Sequence, residues 1–139
     1  MKTEVPEAFV LYACSILGDT STGFSGIEIV EHMSAYAVDF DVELPYGSYP
    51  FPKSLPNKRT ALMHNIRAFE PAQQIHIINE LCQAREMEGN HEAEKLRVKL
   101  INKYGHLLAE LSGTSVDKEL VKEVKHWLAE YPKSYDLFI

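Results

Sequence analysis

The sequence predicts an all-α protein, and three observations lead to this prediction. Apolar residues recur at three- and four-residue steps in most segments, whereas the alternation typical of strands is almost absent. Several of these segments begin with a recognisable helix start. The chain has 139 residues, of which 45% are hydrophobic and 24% charged, as in one globular domain with a core. We therefore expect residues 1–139 to form a single compact bundle of about six helices.

The first two helices are predicted from an apolar segment and a capping signal. Residues 7–17 are apolar on nearly every face, which predicts a helix buried on all sides, and Gly18 ends it. Ser25 and Glu28 have the spacing of a capping box, which predicts the start of the second helix. Its inward face is expected to consist of Ile29, Met33, Tyr36 and Phe40.

A long loop rich in proline and aromatic residues is predicted over residues 41–56. Proline interrupts a helix and cannot donate a hydrogen bond to a strand. The aromatic residues Tyr46, Tyr49 and Phe51 are interpreted as anchors that hold an extended loop on the body, and a ligand or peptide groove is the alternative. The prolines of this segment are Pro45, Pro50, Pro52 and Pro56.

Four more helices are predicted in the rest of the chain. Asn57 is a suitable N-cap, and Pro71 is well placed as the first residue of a helix. Gly105 is a candidate break in a long helix, and Trp127 is expected to be buried by the last one. The predicted helices cover residues 58–69, 71–85, 91–111 and 116–131.

Composition favours a cytoplasmic protein with reduced cysteines. Cys14 and Cys82 both lie in apolar helical patterns and are expected to be free, buried thiols, because a disulfide framework needs more cysteines. The first residues do not resemble a signal peptide, and no apolar run is long enough to span a membrane. The net charge of −6 argues against the chain as a whole being a nucleic-acid binder.

The residue types that bind metals or act as nucleophiles do not form known motifs. None of the six histidines belongs to a metal-binding pattern, and there is no phosphate-binding or dinucleotide-binding glycine motif. No metal and no cofactor are therefore expected.

The spacing of Arg59 and His64 is that of the arginine–histidine motif of HEPN ribonucleases, which are also helical domains. In that family the two residues lie close together and cleave RNA. Here threonine follows the arginine, where the family usually has Asn, Asp or His. Two residues five apart on a regular helix point about 140° from each other, so we expect Arg59 and His64 on different faces.

The highest local concentration of positive charge is formed by Lys53, Lys58, Arg59 and Arg67. Arg59 and Arg67 share a helix face, as a weak phosphate-binding surface requires. A solvated helix face is the preferred interpretation. A DNA-binding module that inserts helix 58–69 into a groove is an alternative.

Two blocks of sequence resemble the N-terminal helical domain of AbiJ-like prokaryotic abortive-infection proteins, which are associated with HEPN domains. These blocks are Phe24–Ile29 and the stretch from Pro56 to Cys82, so the resemblance covers about residues 24–82. It implies a small leading domain that precedes an effector domain. The chain ends on Leu137, Phe138 and Ile139, an apolar ending that also suggests an N-terminal fragment of a longer protein.

We therefore expect a non-catalytic recognition or regulatory (adaptor) domain of a bacterial anti-phage defence protein. Its partner would be another protein or a fused C-terminal effector domain, and a homodimer and a nucleic-acid ligand stay open. The alternatives are a HEPN-like, metal-independent ribonuclease that uses Arg59 and His64, and a helical DNA-binding module.

Overall fold

The computed structural model describes residues 4–112, and all regular structure in this range is helical. The all-α prediction is therefore confirmed for these residues. The predicted helix 116–131 and its Trp127 lie outside the described residues. The α-helices of the described range are α1 (Glu7–Leu17), α2 (Gly26–Phe40), α3 (Lys58–Arg67), α4 (Pro71–Cys82) and α5 (His91–Ser112), and a 3-10 turn spans Arg85–Met87.

The helix starts follow the predicted capping signals. At α2 the amide N–H of Glu28 donates to Ser25 Oγ over 3.2 Å, and the amide N–H of Ser25 donates to Glu28 Oε1 over 2.8 Å. At α3 Asn57 Oδ1 accepts from the amide of Thr60 over 3.0 Å. These bonds satisfy main-chain donors that have no partner inside the helix. Pro71 is the first residue of α4, as predicted.

The C-terminal ends of α3 and α4 come earlier than expected. Helix α4 ends at Cys82 rather than residue 85, and the 3-10 turn follows it. Gly89 then has a φ of 80°, which an L side chain rarely adopts, and this residue turns the chain toward α5. Gly105 does not break α5, which continues to Ser112. One glycine costs a long helix only about 1 kcal/mol, which the packing of the helix can offset.

The core lies where α4 packs against α5 and where α1 packs against α3. Helix α2 contributes Ile29 and Met33 to this core and packs against α3. The loop before α2 contributes Phe24. The largest side chains that are fully buried are Leu17, Phe24, Ile29, Met33, Leu62, Ile66, Ile75, Ile77, Ile78, Leu81, Leu96 and Leu100.

The prediction that segment 7–17 is buried on all sides is wrong. Leu11 is 48% exposed, and Ala8 and Ser15 on the same face are exposed as well. Within residues 4–112, α1 packs against α3, α4 and α5, and its buried residues Val10, Ala13, Cys14, Ile16 and Leu17 lie on the other side of the helix. An exposed leucine costs little by itself, and apolar composition therefore does not reveal which side of a helix faces solvent.

Candidate functional site on helix α3

Helix α3 carries most of the residues singled out from the sequence, and two of its cations are bonded to main-chain carbonyls. Lys58 Nζ donates to the carbonyl oxygen of Phe24 over 2.7 Å. Arg67 Nη1 donates to the carbonyl oxygen of Val5 over 2.6 Å. Both acceptors belong to the N-terminal part of the chain, so these cations fasten α3 to the segments on either side of α1.

Arg59 is exposed but lies against the end of α1. A Cβ atom at Gly18 would come within 2.7 Å of Arg59 Cγ, so glycine leaves the space that the arginine stem occupies. The next residue, Asp19, accepts hydrogen bonds from the amides of Ser21 and Thr22 over 2.9 and 3.0 Å. These hydrogen bonds, and to a smaller extent the charge of Arg59, hold the pKa of the Asp19 carboxyl below its ordinary value.

The predicted cluster of four cations is therefore divided among different structural roles. Lys53 is exposed in the loop between α2 and α3. Lys58 and Arg67 donate to carbonyls, and Arg59 packs on Gly18. A phosphate-binding surface requires several cations directed at one ligand, whereas Lys58, Arg59 and Arg67 contact different parts of the protein itself.

His64 lies next to a different part of the molecule from Arg59. Its ring centroid is 5.7 Å from that of Tyr46, in the loop of residues 41–57, and the side chain is exposed. Arg59 instead contacts the turn after α1. The two candidate catalytic residues therefore have different neighbours, in agreement with the rotation expected between them on a regular helix.

The residue of α3 that the sequence analysis missed is Asn65, which is fully buried. Its Oδ1 accepts from the amide of Tyr46 over 2.9 Å, and its Nδ2 donates to the carbonyl of Tyr46 over 3.0 Å. This pair of bonds fixes the loop to the helix. The signal in the sequence was a polar residue inside the apolar stripe of Leu62, Ile66 and Phe69.

The aromatic side chains in the loop of residues 41–57 are partly exposed to solvent. Tyr46 and Phe51 are half-buried, while Tyr49 is 52% exposed. The ring of Tyr49 lies directly over Gly26 at the start of α2, where a side chain would collide with it. The loop therefore contacts the start of α2 through Tyr49 and the C-terminal half of α3 through Tyr46.

Helix α2 is linked to α4 by a small polar cluster. The Tyr36 hydroxyl donates to Glu80 Oε1 over 2.9 Å, and His76 Nε2 lies 3.5 Å from the same oxygen. Burial, followed by the charge of Glu80, raises the pKa of the Tyr36 phenol. His76 Nδ1 is buried and has no hydrogen-bond partner among residues 4–112.

A second link joins α2 to the 3-10 turn after α4. His32 Nε2 lies 2.8 Å from Glu86 Oε2, and the His32 ring meets the edge of Phe24. Partial burial raises the pKa of Glu86, but the hydrogen bond from His32, a backbone hydrogen bond and the charges of His32 and Arg85 together outweigh it and leave this pKa below its ordinary value.

The cysteines are free and buried, as predicted. Burial raises the pKa of Cys14 to about 12. Burial likewise raises the pKa of Cys82 to about 12, against the smaller opposing effect of Arg97. Among residues 4–112, no group of three or more His, Cys, Asp or Glu side chains is arranged to hold a metal ion.

Compared with known proteins, the chain has no significant match among protein-family models, curated proteins or solved structures. The assignment of a function therefore depends on the residues and geometry described above. No helix in the described part of the chain has both the length and the apolar composition needed to cross a membrane.

Proposed function

We propose that this chain is a non-catalytic recognition or regulatory domain of a bacterial anti-phage defence protein. The resemblance over about residues 24–82 suggests the defence setting. The observation that carries the non-catalytic role is the use of α3, where Lys58 and Arg67 donate to carbonyls and Arg59 packs on the end of α1. In this proposal the domain acts in the cytoplasm on a protein partner or a fused C-terminal effector.

The ribonuclease alternative needs Arg59 and His64 at one phosphate. A general acid–base histidine must come within hydrogen-bond reach of the reacting group, and the arginine must stabilise charge at the same place. Here Arg59 contacts the turn at Gly18, whereas His64 lies beside Tyr46. Cleavage would therefore require a distortion of α3 that brings Arg59 and His64 together, or a second molecule that supplies one of these two groups.

The DNA-binding alternative needs an exposed helix whose cations reach phosphates. Phosphate contacts position a reading helix on the duplex before base contacts can act. The Lys58 and Arg67 side chains lie at the two ends of α3, and each donates to a carbonyl of this chain. The exposed polar side chains of α3 that are left to contact phosphates are then Arg59 and His64.

The proposal is tested by RNA cleavage and phage protection, measured on the same variants. His64→Ala is the sharper variant, because His64 is exposed and its removal leaves the core intact. Arg59→Lys keeps the positive charge near Asp19 while it removes the guanidinium. We expect the purified chain to leave single-stranded RNA uncut, and cells that express the full natural gene to keep their phage protection with either variant.

Two outcomes would contradict this proposal. RNA cleavage that either substitution abolishes would assign the activity to Arg59 and His64 and establish the ribonuclease alternative. Unchanged phage growth in cells with and without the intact gene would remove the defence role. Folding of each variant is checked by circular dichroism, so that loss of structure is not mistaken for loss of function.

A further inference from the structure

We infer that one face of α1 and α5 is a docking surface for an acidic amphipathic segment of a partner protein. The docking face consists of Leu11 and Tyr12 on α1 and of Lys95, Lys99 and Lys103 on α5. This inference deepens the proposed function, because it names the partner class that a recognition domain of this kind would bind.

The three lysines form a straight row. They recur at four-residue steps and are all exposed, so their Cα atoms rise by about 6 Å per step along one side of α5. Unlike Lys58 and Arg67 of α3, they are not bonded to main-chain carbonyls of the described residues. Within residues 4–112 no carboxylate forms an ion pair with Lys99 or Lys103, and Lys95 has only an exposed pair with Glu92 at 3.6 Å. An exposed pair of this kind contributes little and exchanges readily.

An exposed apolar residue, Leu11, lies on the helix next to this row. Helices α1 and α5 are antiparallel neighbours, since Lys99 Nζ lies 4.7 Å from the centre of the Tyr12 ring and Tyr104 lies 4.8 Å from Phe9. On the solvent side of α1, Leu11 is 48% exposed between the exposed Ala8 and Ser15. The Ser15 hydroxyl donates to the carbonyl of Tyr12 over 2.6 Å, so its hydrogen-bonding capacity is directed at its own helix.

This combination fits an acidic amphipathic segment better than a nucleic acid. A helix with carboxylates at four-residue steps matches the lysine row in length and sign, and its apolar side can cover Leu11. Nucleic acids carry dense negative charge, whereas this chain has 20 acidic and 14 basic residues and a net charge of −6. Long-range repulsion therefore opposes a polyanion, while a short acidic segment responds to the local row of lysines.

The test measures the binding of a designed probe to the full chain by fluorescence anisotropy. The probe is a short labelled helical peptide with glutamates at three successive four-residue steps and leucines on the adjoining side. We expect binding that weakens as salt is added, because exposed charges are screened. The double variant Lys99→Glu, Lys103→Glu should weaken binding by about tenfold or more. The matched control, Lys53→Glu, changes an exposed lysine outside the docking face and should leave binding unchanged.

A charge-swapped pair completes the design. A second peptide, with lysines in place of the glutamates, should bind the Lys99→Glu, Lys103→Glu variant better than the original chain. Absence of peptide binding, equal loss with Lys53→Glu, or binding of a single-stranded RNA oligonucleotide in preference to the peptide would each overturn the inference. These failures concern the docking face alone, whereas RNA cleavage by the same preparation would overturn the proposed function.

Discussion

At the scale of single residues, Asn65 shows how one buried amide can fix a whole loop. Its two hydrogen bonds hold both the N–H and the C=O of Tyr46, and the loop of residues 41–57 contains no helix of its own. We expect Asn65→Ala to lower the free energy of unfolding by about 1–3 kcal/mol, because it leaves partly buried main-chain groups unpaired. Urea unfolding measures this change.

His64→Ala is the matched control for Asn65, because it changes the adjacent residue of the same helix at an exposed position. A surface substitution of this kind usually changes the free energy of unfolding by no more than about 0.5 kcal/mol. Equal losses for both variants would mean that the helix, and not the amide clamp, determines the stability at this position.

The two cysteines give a second prediction at this scale. The thiolate is the reactive form, and a pKa of about 12 for both thiols leaves almost none of it at neutral pH. We therefore expect neither Cys14 nor Cys82 to react with a thiol reagent until the protein unfolds. Both should then react together in denaturant. Rapid labelling of one cysteine in the native protein would show that its helix does not stay packed.

Residue roles could be predicted from sequence where the partners are close along the chain. The capping pair Ser25 and Glu28 is a local pattern, and the structure confirms it. The partners of Lys58 and Arg67 lie 34 and 62 residues away. A single sequence does not reveal which carbonyl such a cation will meet, so a solvated helix face was preferred and a weak phosphate-binding surface was kept as the alternative.

At the scale of elements, titratable side chains of α2 form hydrogen bonds with α4 and with the turn after it. His32 meets Glu86 and Tyr36 meets Glu80, and the two residues of α2 are one helical turn apart. These partners lie 54 and 44 residues apart in the chain, which is why the sequence analysis predicted only the apolar face of α2.

The link to Glu86 leads to a prediction about pH. A carboxyl whose pKa is lowered in the folded state stabilises the protein above its ordinary pKa, and this contribution is lost as the pH falls through the folded pKa. We expect the original chain to lose stability more steeply than the His32→Gln variant as the pH falls below the ordinary pKa of a glutamate side chain. Thermal unfolding at a series of pH values measures the difference, and parallel curves would show that His32 does not lower the pKa of Glu86.

Helix α1 shows that the presence of a helix was easier to predict than which of its sides is buried. The apolar run of residues 7–17 correctly predicted a helix over Glu7–Leu17. Its exposed side depends on how α3, α4 and α5 are placed around it, and that placement is set by contacts distant in sequence. The exposed Leu11 that results is part of the proposed docking face.

At the scale of the whole molecule, the cations of α3 join the N-terminal third of the chain to the rest. Lys58 holds the carbonyl that precedes α2, and Arg67 holds the carbonyl that precedes α1. The helices of residues 4–112 can be predicted from local sequence signals, but these two contacts between distant parts of the chain cannot. The same two contacts favour a structural role for the cations of α3 over binding of a nucleic acid.

This distinction can be tested with Lys58→Met and Arg67→Met, which keep much of the apolar stem of each side chain. Hydrogen bonds from charged groups contribute about 1.5–3 kcal/mol, so with partial exposure we expect each variant to lose about 1–2 kcal/mol in urea unfolding. The two residues are roughly 13 Å apart along α3, far enough for their effects to add in the double variant. If α3 is instead a phosphate-binding surface, the variants will keep their stability and lose salt-dependent binding to DNA or RNA. That result would show that the two carbonyl contacts contribute little and that the charges of α3 serve a ligand.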